Sequence, residues 1–203
     1  MSPKPHRPLQ VTQNSPGPRA VFLDRDGTIN AEVDYLSDPD DLRLVDRAGE
    51  AIARLNRAGY LCVVITNQSG IARGKLTEDR LGQIHRRLDE LLAAKGAHID
   101  HYEACPHHPD YGSQLYRQDC ECRKPKPGMY LQAQAALGID LQGSWAVGDS
   151  SRDLEAATRI GVPGFLVSTG KPVSAESRER WNVVHDISAA VDQILSAGTP
   201  PSQ

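Results

Sequence analysis

The sequence predicts an α/β fold in which a parallel sheet is covered by helices on both faces. Short apolar segments alternate with amphipathic segments of helical periodicity along most of the chain, and polar motifs directly follow several of the apolar segments. Ligands of such folds bind beyond the carboxyl ends of the strands. With 203 residues, the chain is long enough for one domain with a full hydrophobic core.

Six short apolar runs are predicted to form the strands. They are residues 20–24, 60–66, 99–104, 144–148, 164–167 and 183–185. Several of these runs are apolar throughout rather than alternating, which is typical of strands that are buried on both faces of a parallel sheet. The sheet is therefore expected to be Rossmann-like.

Five segments between and after these strands are predicted to form helices. They are residues 48–58, 78–95, 127–137, 153–160 and 187–196. In the second helix, leucine and isoleucine recur at helical spacing, and Thr77 stands where an N-cap residue is needed. The third helix begins with proline, and the third and fourth both end before a glycine, as helices commonly do.

Composition excludes several classes of protein. The net charge is −3 and the hydrophobic fraction is 39%, which gives no argument for a nucleic-acid or membrane partner. Residues 1–19 are rich in proline and serine and lack the apolar core of a secretory signal, so they are predicted to be a disordered tail. Residues 197–203 are expected to form a second tail. We therefore expect one domain over residues 20–196 in a cytoplasmic, monomeric protein.

The most informative motif contains Asp24 and Asp26, which follow the first predicted strand and precede a glycine and a threonine. Two carboxylates crowded at a sheet edge repel each other unless a cation or phosphate chemistry needs them. A calcium loop beginning at Asp24 is excluded, because Tyr35 stands where such a loop needs glutamate. A plain surface turn stays the alternative for this motif alone.

Three further motifs follow in order along the chain. Thr66 closes the second predicted strand, and the hydroxyl and amide side chains after it can bind phosphate oxygens. Lys124 precedes the third predicted helix, with Lys126 as a rival from sequence alone. Asp149 follows a short strand and offers a carboxylate to Mg²⁺, with Asp153 as a later acid. Taken singly, each motif has a purely structural alternative, such as a helix cap or a solvated turn.

Together these motifs resemble the four motifs of the haloacid dehalogenase (HAD) phosphatase superfamily, and the resemblance covers most of the chain. It implies a HAD-like fold in which Asp24 is the nucleophile that forms an aspartyl-phosphate and Asp26 is the general acid and base. It also implies that Thr66 and Lys124 bind the transferring phosphoryl group. Mg²⁺ would be held by Asp24, Asp149 and the carbonyl group of Asp26.

A second group of residues has the spacing of a structural zinc site. They are Cys105, His107, Cys120 and Cys122. Three thiolates and one imidazole complete a closed tetrahedral shell, which fixes a loop and performs no chemistry. His108 is an alternative ligand, and three unconnected surface thiols are the alternative interpretation. Because this group ends close to Lys124, a bound Zn²⁺ would also fix the position of that lysine.

The resemblance to HAD enzymes implies a cavity shaped by loops. The chain between the motifs has no room for the inserted cap domain that usually covers the site, so we expect a capless enzyme. Three loops must then shape the pocket, namely residues 30–42, 68–75 and 105–122. Arg73, Lys75 and Arg123 in these loops are candidates for binding a second anionic group, and a solvated basic rim is the alternative.

Within the superfamily, the motifs and the zinc loop resemble the phosphatases that act on a heptose bisphosphate. This resemblance implies a small phosphorylated sugar as substrate, loss of its 7-phosphate, and a role in nucleotide-activated heptose and lipopolysaccharide biosynthesis. It also implies a set of substrate contacts. They are Glu32, Tyr35, Asn67, Gln68, Ser69, Arg123 and Ser150.

Two alternatives stay open from the sequence. Histidinol-phosphate phosphatases resemble this chain in scaffold and zinc loop, but their substrate carries one phosphate and a cationic amine. The basic residues Arg73 and Arg123 favour a bisphosphate instead. The second alternative is a zinc-stabilised binding module without activity, which the complete set of catalytic motifs argues against. The sequence leaves the anomer of the sugar open.

Overall fold

The computed structural model describes residues 16–198, so the predicted tail residues 1–15 and 199–203 lie outside the described residues. Within residues 16–198, six strands form one parallel sheet in the order β3-β2-β1-β4-β5-β6. The strands are β1 Ala20–Leu23, β2 Leu61–Asn67, β3 His101–Cys105, β4 Trp145–Gly148, β5 Gly164–Val167 and β6 Asn182–Val184. The predicted α/β fold with a parallel, Rossmann-like sheet is confirmed.

Six α-helices accompany these strands in the described part of the chain. They are α1 Ala48–Arg57, α2 Glu78–Ala93, α3 Gly128–Leu137, α4 Ser151–Thr158, α5 Ala175–Arg180 and α6 Ile187–Ala197, with a short 3-10 helix at Pro39–Asp41. The sequence did not predict α5 or the 3-10 helix, because neither buries a residue and neither shows apolar periodicity. None of these described helices is both long enough and apolar enough to cross a membrane.

The sheet divides the hydrophobic core into two layers. Along β1, Val21 and Leu23 face the layer that contains α1, α2 and α6, whereas Ala20 and Phe22 face the layer that contains α3 and α4. All four of these side chains are at most 1% exposed. Burial on both faces explains why the strands read as continuous apolar runs in the sequence.

Helix α2 follows the predicted pattern closely. The Thr77 hydroxyl accepts a hydrogen bond from the Arg80 N–H at 3.1 Å, which confirms the predicted N-cap. Leu81, Ile84 and Leu88 lie on the buried face at helical spacing. Burying a leucine or isoleucine side chain fully contributes about 1.5–3 kcal/mol each, so this face anchors the helix to the sheet.

The topology places the motif-bearing strands side by side. β1 lies between β2 and β4, because the chain continues from β1 to β2 and β3 on one side and then crosses to β4, β5 and β6 on the other. A crevice opens outside the carboxyl ends of the strands at such a switch point, where ligands bind in open α/β sheets. Asp24 follows β1, Thr66 lies at the end of β2, and Asp149 follows β4, so all three meet at this crevice.

Candidate active site

Lys124 connects three elements at the centre of the crevice. Its Nζ lies 2.7 Å from Asp24 Oδ1 and 2.7 Å from Asp153 Oδ1, and it donates a hydrogen bond to the Ile65 carbonyl oxygen at 2.6 Å. The Lys124 side chain is 1% exposed. The Asp24 N–H donates to the Val147 carbonyl oxygen of β4 at 2.9 Å, which fixes the carboxylate relative to the sheet. The lysine is therefore held in one position by the residue that follows β1 and by groups of β2 and α4.

The charges of this cluster do not balance. Burial raises the pKa of Asp24 to about 7; the Lys124 ammonium opposes this rise, and the Asp153 and Asp149 carboxylates add to it. Burial alone would lower the pKa of Lys124, but the carboxylates of Asp153 and Asp24 hold it above its ordinary value. Lys124 pairs directly with two of the three carboxyl groups, and a further cation would relieve the repulsion among them.

The carboxylates fit a divalent metal ion with oxygen ligands. Asp24, Asp149 and Asp153 each offer a carboxylate oxygen, and these oxygens lie within 4.8 Å of one another. Oδ2 of Asp149 is buried without a hydrogen-bond partner, and burial raises the pKa of Asp149 to about 6. A Cβ at Gly27 or Gly170 would collide with this carboxylate, so the two glycines keep the space beside it open. Such a donor set suits Mg²⁺.

Asp26 is held by hydrogen bonds from three neighbours. Arg25 Nη2 donates to both Asp26 oxygens at 3.0 and 2.9 Å, Asn30 Nδ2 donates to Oδ1 at 2.9 Å, and Gln68 Nε2 donates to Oδ2 at 2.8 Å. Burial alone would raise the pKa of Asp26, but the Arg25 guanidinium and the hydrogen bonds hold it below its ordinary value. Asp26 is therefore an oriented carboxylate, and sequence reasoning missed the part played by Arg25 and Asn30.

The turn after β1 explains how these neighbours reach Asp26. The carbonyl oxygen of Arg25 accepts hydrogen bonds from the N–H groups of Thr28, Ile29 and Asn30 at 3.3, 2.8 and 3.1 Å. Gly27 has φ +82°, a left-handed conformation that favours glycine. The chain thus coils back on itself, and Asn30 returns to the carboxylate that precedes it by four residues.

The end of β2 supplies amides that position other groups. Asn67 Nδ2 donates to the Lys124 carbonyl oxygen at 3.1 Å, and Asn67 Oδ1 accepts from the Lys124 N–H at 3.1 Å. Gln68 Nε2 also donates to the Thr66 hydroxyl at 2.8 Å. These amide groups therefore hold the lysine backbone and the predicted phosphate-binding hydroxyl in place.

A cavity of about 290 Å³ opens above these residues. It is lined by most of the predicted site residues, namely Asp24, Asp26, Glu32, Tyr35, Thr66, Asn67, Gln68, Ser69, Arg123, Lys124 and Asp149. Ser150 is not among the described lining residues; it is the N-cap of α4, and its N–H donates to Asp153 Oδ2 at 3.0 Å. Sequence reasoning missed His108, Arg152 and Lys171 in the lining, because isolated basic residues and histidines carry no motif of their own.

The predicted zinc ligands converge in the loop of residues 105–122, called the cysteine loop below. Cys122 Sγ lies 3.2 Å from the Sγ atoms of Cys105 and Cys120, and His107 Nδ1 lies 3.3 Å from Cys122 Sγ. All three cysteines are free of disulfide bonds. Three sulfur atoms and one imidazole nitrogen within 4.8 Å of one another fit the donor set of a closed Zn²⁺ site.

Comparison with known proteins gives a consistent group of relatives. The HAD-hydrolase-like family model matches residues 121–193. The D-glycero-beta-D-manno-heptose-1,7-bisphosphate 7-phosphatase of Photorhabdus laumondii is 45% identical over 176 residues, which cover 86% of this chain and 92% of the relative. The protein of the same name from Vibrio cholerae is 45% identical over 168 residues, which cover 82% of this chain and 90% of the relative.

A solved structure agrees with these relatives. The crystal structure of D,D-heptose 1,7-bisphosphate phosphatase from B. bronchiseptica, complexed with magnesium and phosphate, matches with a TM-score of 0.76 at 37% identity. The match covers 88% of this chain and 98% of that chain. Fold and sequence therefore point to the same group of proteins.

Proposed function

Because the chain belongs to the D-glycero-beta-D-manno-heptose-1,7-bisphosphate 7-phosphatase family of HAD-like hydrolases, we propose that it removes the 7-phosphate of this bisphosphate. The family makes the chain a phosphoric monoester hydrolase and favours the heptose bisphosphate over histidinol phosphate. The observation that carries the proposal is the convergence of Asp24, Asp26, Lys124 and Thr66 on one cavity. The relatives' name supports the β anomer as the substrate.

In the proposed first step, Asp24 attacks the phosphorus atom of the 7-phosphate. The bond between Asp24 and phosphorus forms while the bond between phosphorus and the C7 oxygen breaks, which leaves an aspartyl-phosphate. Lys124, 2.7 Å from Asp24, reduces the repulsion between the carboxylate and the incoming phosphate. Thr66 offers its hydroxyl to a phosphoryl oxygen.

Asp26 is proposed to move the protons. A phosphate dianion beside Asp26 raises the proton affinity of this carboxylate, so the group can bind a proton in the complex and give it to the departing C7 oxygen. The resulting carboxylate then takes a proton from the water molecule that attacks the aspartyl-phosphate. This second step releases inorganic phosphate and restores Asp24. The three hydrogen-bond donors around Asp26 fix its orientation for both transfers.

We propose that Asp24, Asp149 and the main-chain carbonyl of Asp26 hold Mg²⁺, which supplies positive charge to the transferring phosphoryl group when bound. The orphaned Oδ2 of Asp149 supports this assignment, as does the magnesium complex of the B. bronchiseptica relative. Asp153 belongs to the same oxygen cluster but pairs with Lys124 at 2.7 Å, so its role is to orient the lysine.

We propose a structural Zn²⁺ in the cysteine loop, bound by the three cysteines and His107. A zinc site needs these cysteines in the reduced form, which is compatible with the cytoplasmic location that we propose. The monomeric state, the domain limits and the substrate contact at Ser150 stay predictions. None of these properties is needed for the chemistry at Asp24.

The product of the reaction tests the proposed function. The purified protein is incubated with Mg²⁺ and the β-anomer of the bisphosphate, and the products are followed by ³¹P and ¹H nuclear magnetic resonance. We expect one equivalent of inorganic phosphate and a sugar that keeps the coupling between phosphorus and the anomeric proton. Loss of the anomeric phosphate, or no phosphate release at all, would contradict the proposal.

A further inference from the structure

The loop between β5 and α5 is attached to the turn after β1 and to the segment that follows this turn. This loop, residues 168–174, is called the β5–α5 loop below. The Thr169 hydroxyl donates a hydrogen bond to the Gly27 carbonyl oxygen at 2.6 Å. Two residues later, Lys171 Nζ lies 3.8 Å from Glu32 Oε2. The β5–α5 loop is therefore held beside the first aspartate motif at two points.

Gly170, which lies between these two points of attachment, packs against the Asp149 side chain. A Cβ at Gly170 would lie 2.8 Å from the Asp149 Cβ and 2.7 Å from its Cγ, and it would collide with Oδ2. These separations are too short for carbon atoms that are not bonded to each other, so even a methyl group does not fit here. Asp149 itself is 5% exposed. The backbone at Gly170 therefore forms one wall of the space that holds the carboxylate.

Backbone conformation does not explain why residue 170 is a glycine. Gly27, which lies beside the same carboxylate, has φ +82°, a left-handed conformation that itself favours glycine. The φ of Gly170 lies outside the left-handed region, so this angle does not require glycine. Residue 170 lacks a side chain because the chain passes so close to Asp149. The identity of this residue is thus linked to the position of one carboxylate.

The contact involves the carboxylate oxygen that has no hydrogen-bond partner. Oδ2 of Asp149 is buried and unpartnered, and it is the atom that a Cβ at either Gly27 or Gly170 would meet first. A glycine Cα limits where this oxygen can lie but forms no strong hydrogen bond with it, so its lone pairs stay available to a cation. Mg²⁺ demands near-octahedral oxygen ligands at about 2.0–2.1 Å. A wall that restricts the oxygen without binding it therefore suits a magnesium ligand.

We propose that Gly170 and Thr169 are positioning residues for Mg²⁺, because they hold the Asp149 carboxylate in the place where it binds the cation. This inference rests on the assignment of Mg²⁺ in the proposed function. Gly170 sets the position of the carboxylate by direct contact. Thr169 fixes the β5–α5 loop through its hydrogen bond with Gly27, whose neighbour Asp26 offers its carbonyl group to the same cation. Replacing residues that support metal ligands typically weakens metal binding by about 10- to 100-fold.

The test measures Mg²⁺ binding to the purified, Mg²⁺-free protein by isothermal titration calorimetry. In Gly170→Ala, the added methyl group displaces the Asp149 carboxylate, so the dissociation constant for Mg²⁺ should rise by about 10- to 100-fold. Gly82→Ala is the matched control. The φ of Gly82 also lies outside the left-handed region, and among the described residues a Cβ there would meet nothing closer than Arg86 Nη1 at 3.9 Å. This control should keep the wild-type dissociation constant.

A second pair of variants covers the case in which Gly170→Ala does not fold, as checked by thermal unfolding without Mg²⁺. Thr169→Val removes the hydroxyl group but keeps the shape of the side chain. The dissociation constant for Mg²⁺ should rise by about 2- to 10-fold, as expected for one lost hydrogen bond. In the control Ser168→Ala, the neighbouring hydroxyl loses its hydrogen bond to the His185 carbonyl oxygen, which is 3.0 Å long and lies outside the site. Ser168→Ala should bind Mg²⁺ as the wild type does.

The possible results separate this inference from the proposed function. An unchanged dissociation constant in folded Gly170→Ala would overturn the inference, because the β5–α5 loop and not the carboxylate would then have moved. Equal constants for Thr169→Val and Ser168→Ala would overturn the part assigned to Thr169, and the whole inference where Gly170→Ala is unfolded. A wild-type protein that binds no Mg²⁺ would remove the proposed metal assignment as well. Phosphate release from the bisphosphate tests the proposed hydrolysis independently of these variants.

Discussion

At the scale of single residues, the side chains around Asp24 hold a nucleophile in a negatively charged environment. Lys124 pairs with Asp24 and Asp153, and burial makes each charge in this cluster costly to leave uncompensated. The arrangement favours a divalent cation, whose positive charge would then let a phosphate anion bind beside these carboxylates. The three aspartates also differ in their partners, because Asp24 and Asp153 pair with Lys124 whereas Oδ2 of Asp149 has no hydrogen-bond partner.

Replacing the proposed nucleophile tests its role directly. Asp24→Asn keeps the size of the side chain but removes the attacking oxygen anion, so kcat should fall by about 10⁴-fold or more. Circular dichroism and thermal unfolding should show a retained fold. Phosphate release close to the wild-type rate in this variant would rule out Asp24 as the nucleophile.

The raised pKa of Asp149 has a consequence for stability. Its pKa rises from 3.8 to about 6 because burial disfavours the charged form. The folded state therefore binds this proton more tightly than the unfolded state does. The resulting stabilisation of the fold is fully present below pH 3.8 and is lost as the pH rises through about 6. Across this pH range, the free energy of unfolding falls by about 3 kcal/mol, because the carboxyl group is buried.

We therefore expect Asp149→Asn to be more stable than the wild type in Mg²⁺-free buffer at neutral pH. The difference in free energy of unfolding should shrink as the pH falls below about 6, where the wild-type carboxyl group is protonated. Urea unfolding at a series of pH values measures this difference. Adding Mg²⁺ should stabilise the wild type and not the variant. A difference independent of pH would contradict the cause given for the raised pKa.

At the scale of elements, the end of β2 and the loop before α3 are joined by one side chain. Asn67 makes two hydrogen bonds with the backbone of Lys124, both at 3.1 Å. The same geometry occurs far from the site, where Asn56 of α1 donates to the His98 carbonyl oxygen at 3.3 Å and accepts from the His98 N–H at 3.0 Å. The chain thus contains its own matched control.

Asn67→Ala should lower kcat by about tenfold or more, because the backbone that carries Lys124 loses both hydrogen bonds. Asn56→Ala loses an equivalent pair and should lower the free energy of unfolding by about 1–3 kcal/mol while keeping kcat. Steady-state kinetics and urea unfolding on both variants separate the two effects. Equal kcat values for the two variants would show that Asn67 does not position the lysine.

The cysteine loop connects a proposed metal to the same lysine, which follows Cys122 by two residues. Cys120→Ser should weaken zinc binding, lower the melting temperature and reduce kcat, because the loop no longer fixes Lys124. Cys62→Ala, in β2 and outside the cluster, should keep the zinc content. Metal analysis of the purified variants gives the stoichiometry. Full activity in a protein shown to contain no zinc would contradict this coupling.

Sequence reasoning predicted what depends on local pattern. Where the apolar pattern predicted a strand or a helix, its bounds agree with the structure to within two residues. The site motifs could be identified because most of them directly follow a predicted strand. It missed contacts that depend on folding. The buried ion pair of Arg25 with Asp26, the bridge from Asn67 to Lys124 and the stack of Arg73 on Tyr111 have no signature in the sequence.

At the scale of the whole molecule, strand order explains how distant motifs become one site. β2, β1 and β4 are neighbours in the sheet, although the residues that they position, Thr66, Asp24 and Asp149, are far apart in the chain. The crevice at this switch point leaves Asp24 open to solvent on one side. Within the described residues, three loops with basic side chains border the crevice. Substrate choice therefore depends on the loops, whereas the chemistry depends on the sheet.

Substrate preference distinguishes a phosphatase for the heptose 1,7-bisphosphate from a histidinol-phosphate phosphatase. Phosphate release with Mg²⁺ is measured for the β anomer, the α anomer and histidinol phosphate, and the three kcat/KM values are compared. We predict the highest value for the β anomer and the lowest for histidinol phosphate. A higher kcat/KM for histidinol phosphate than for either bisphosphate anomer would show that the heptose bisphosphate is not the preferred substrate.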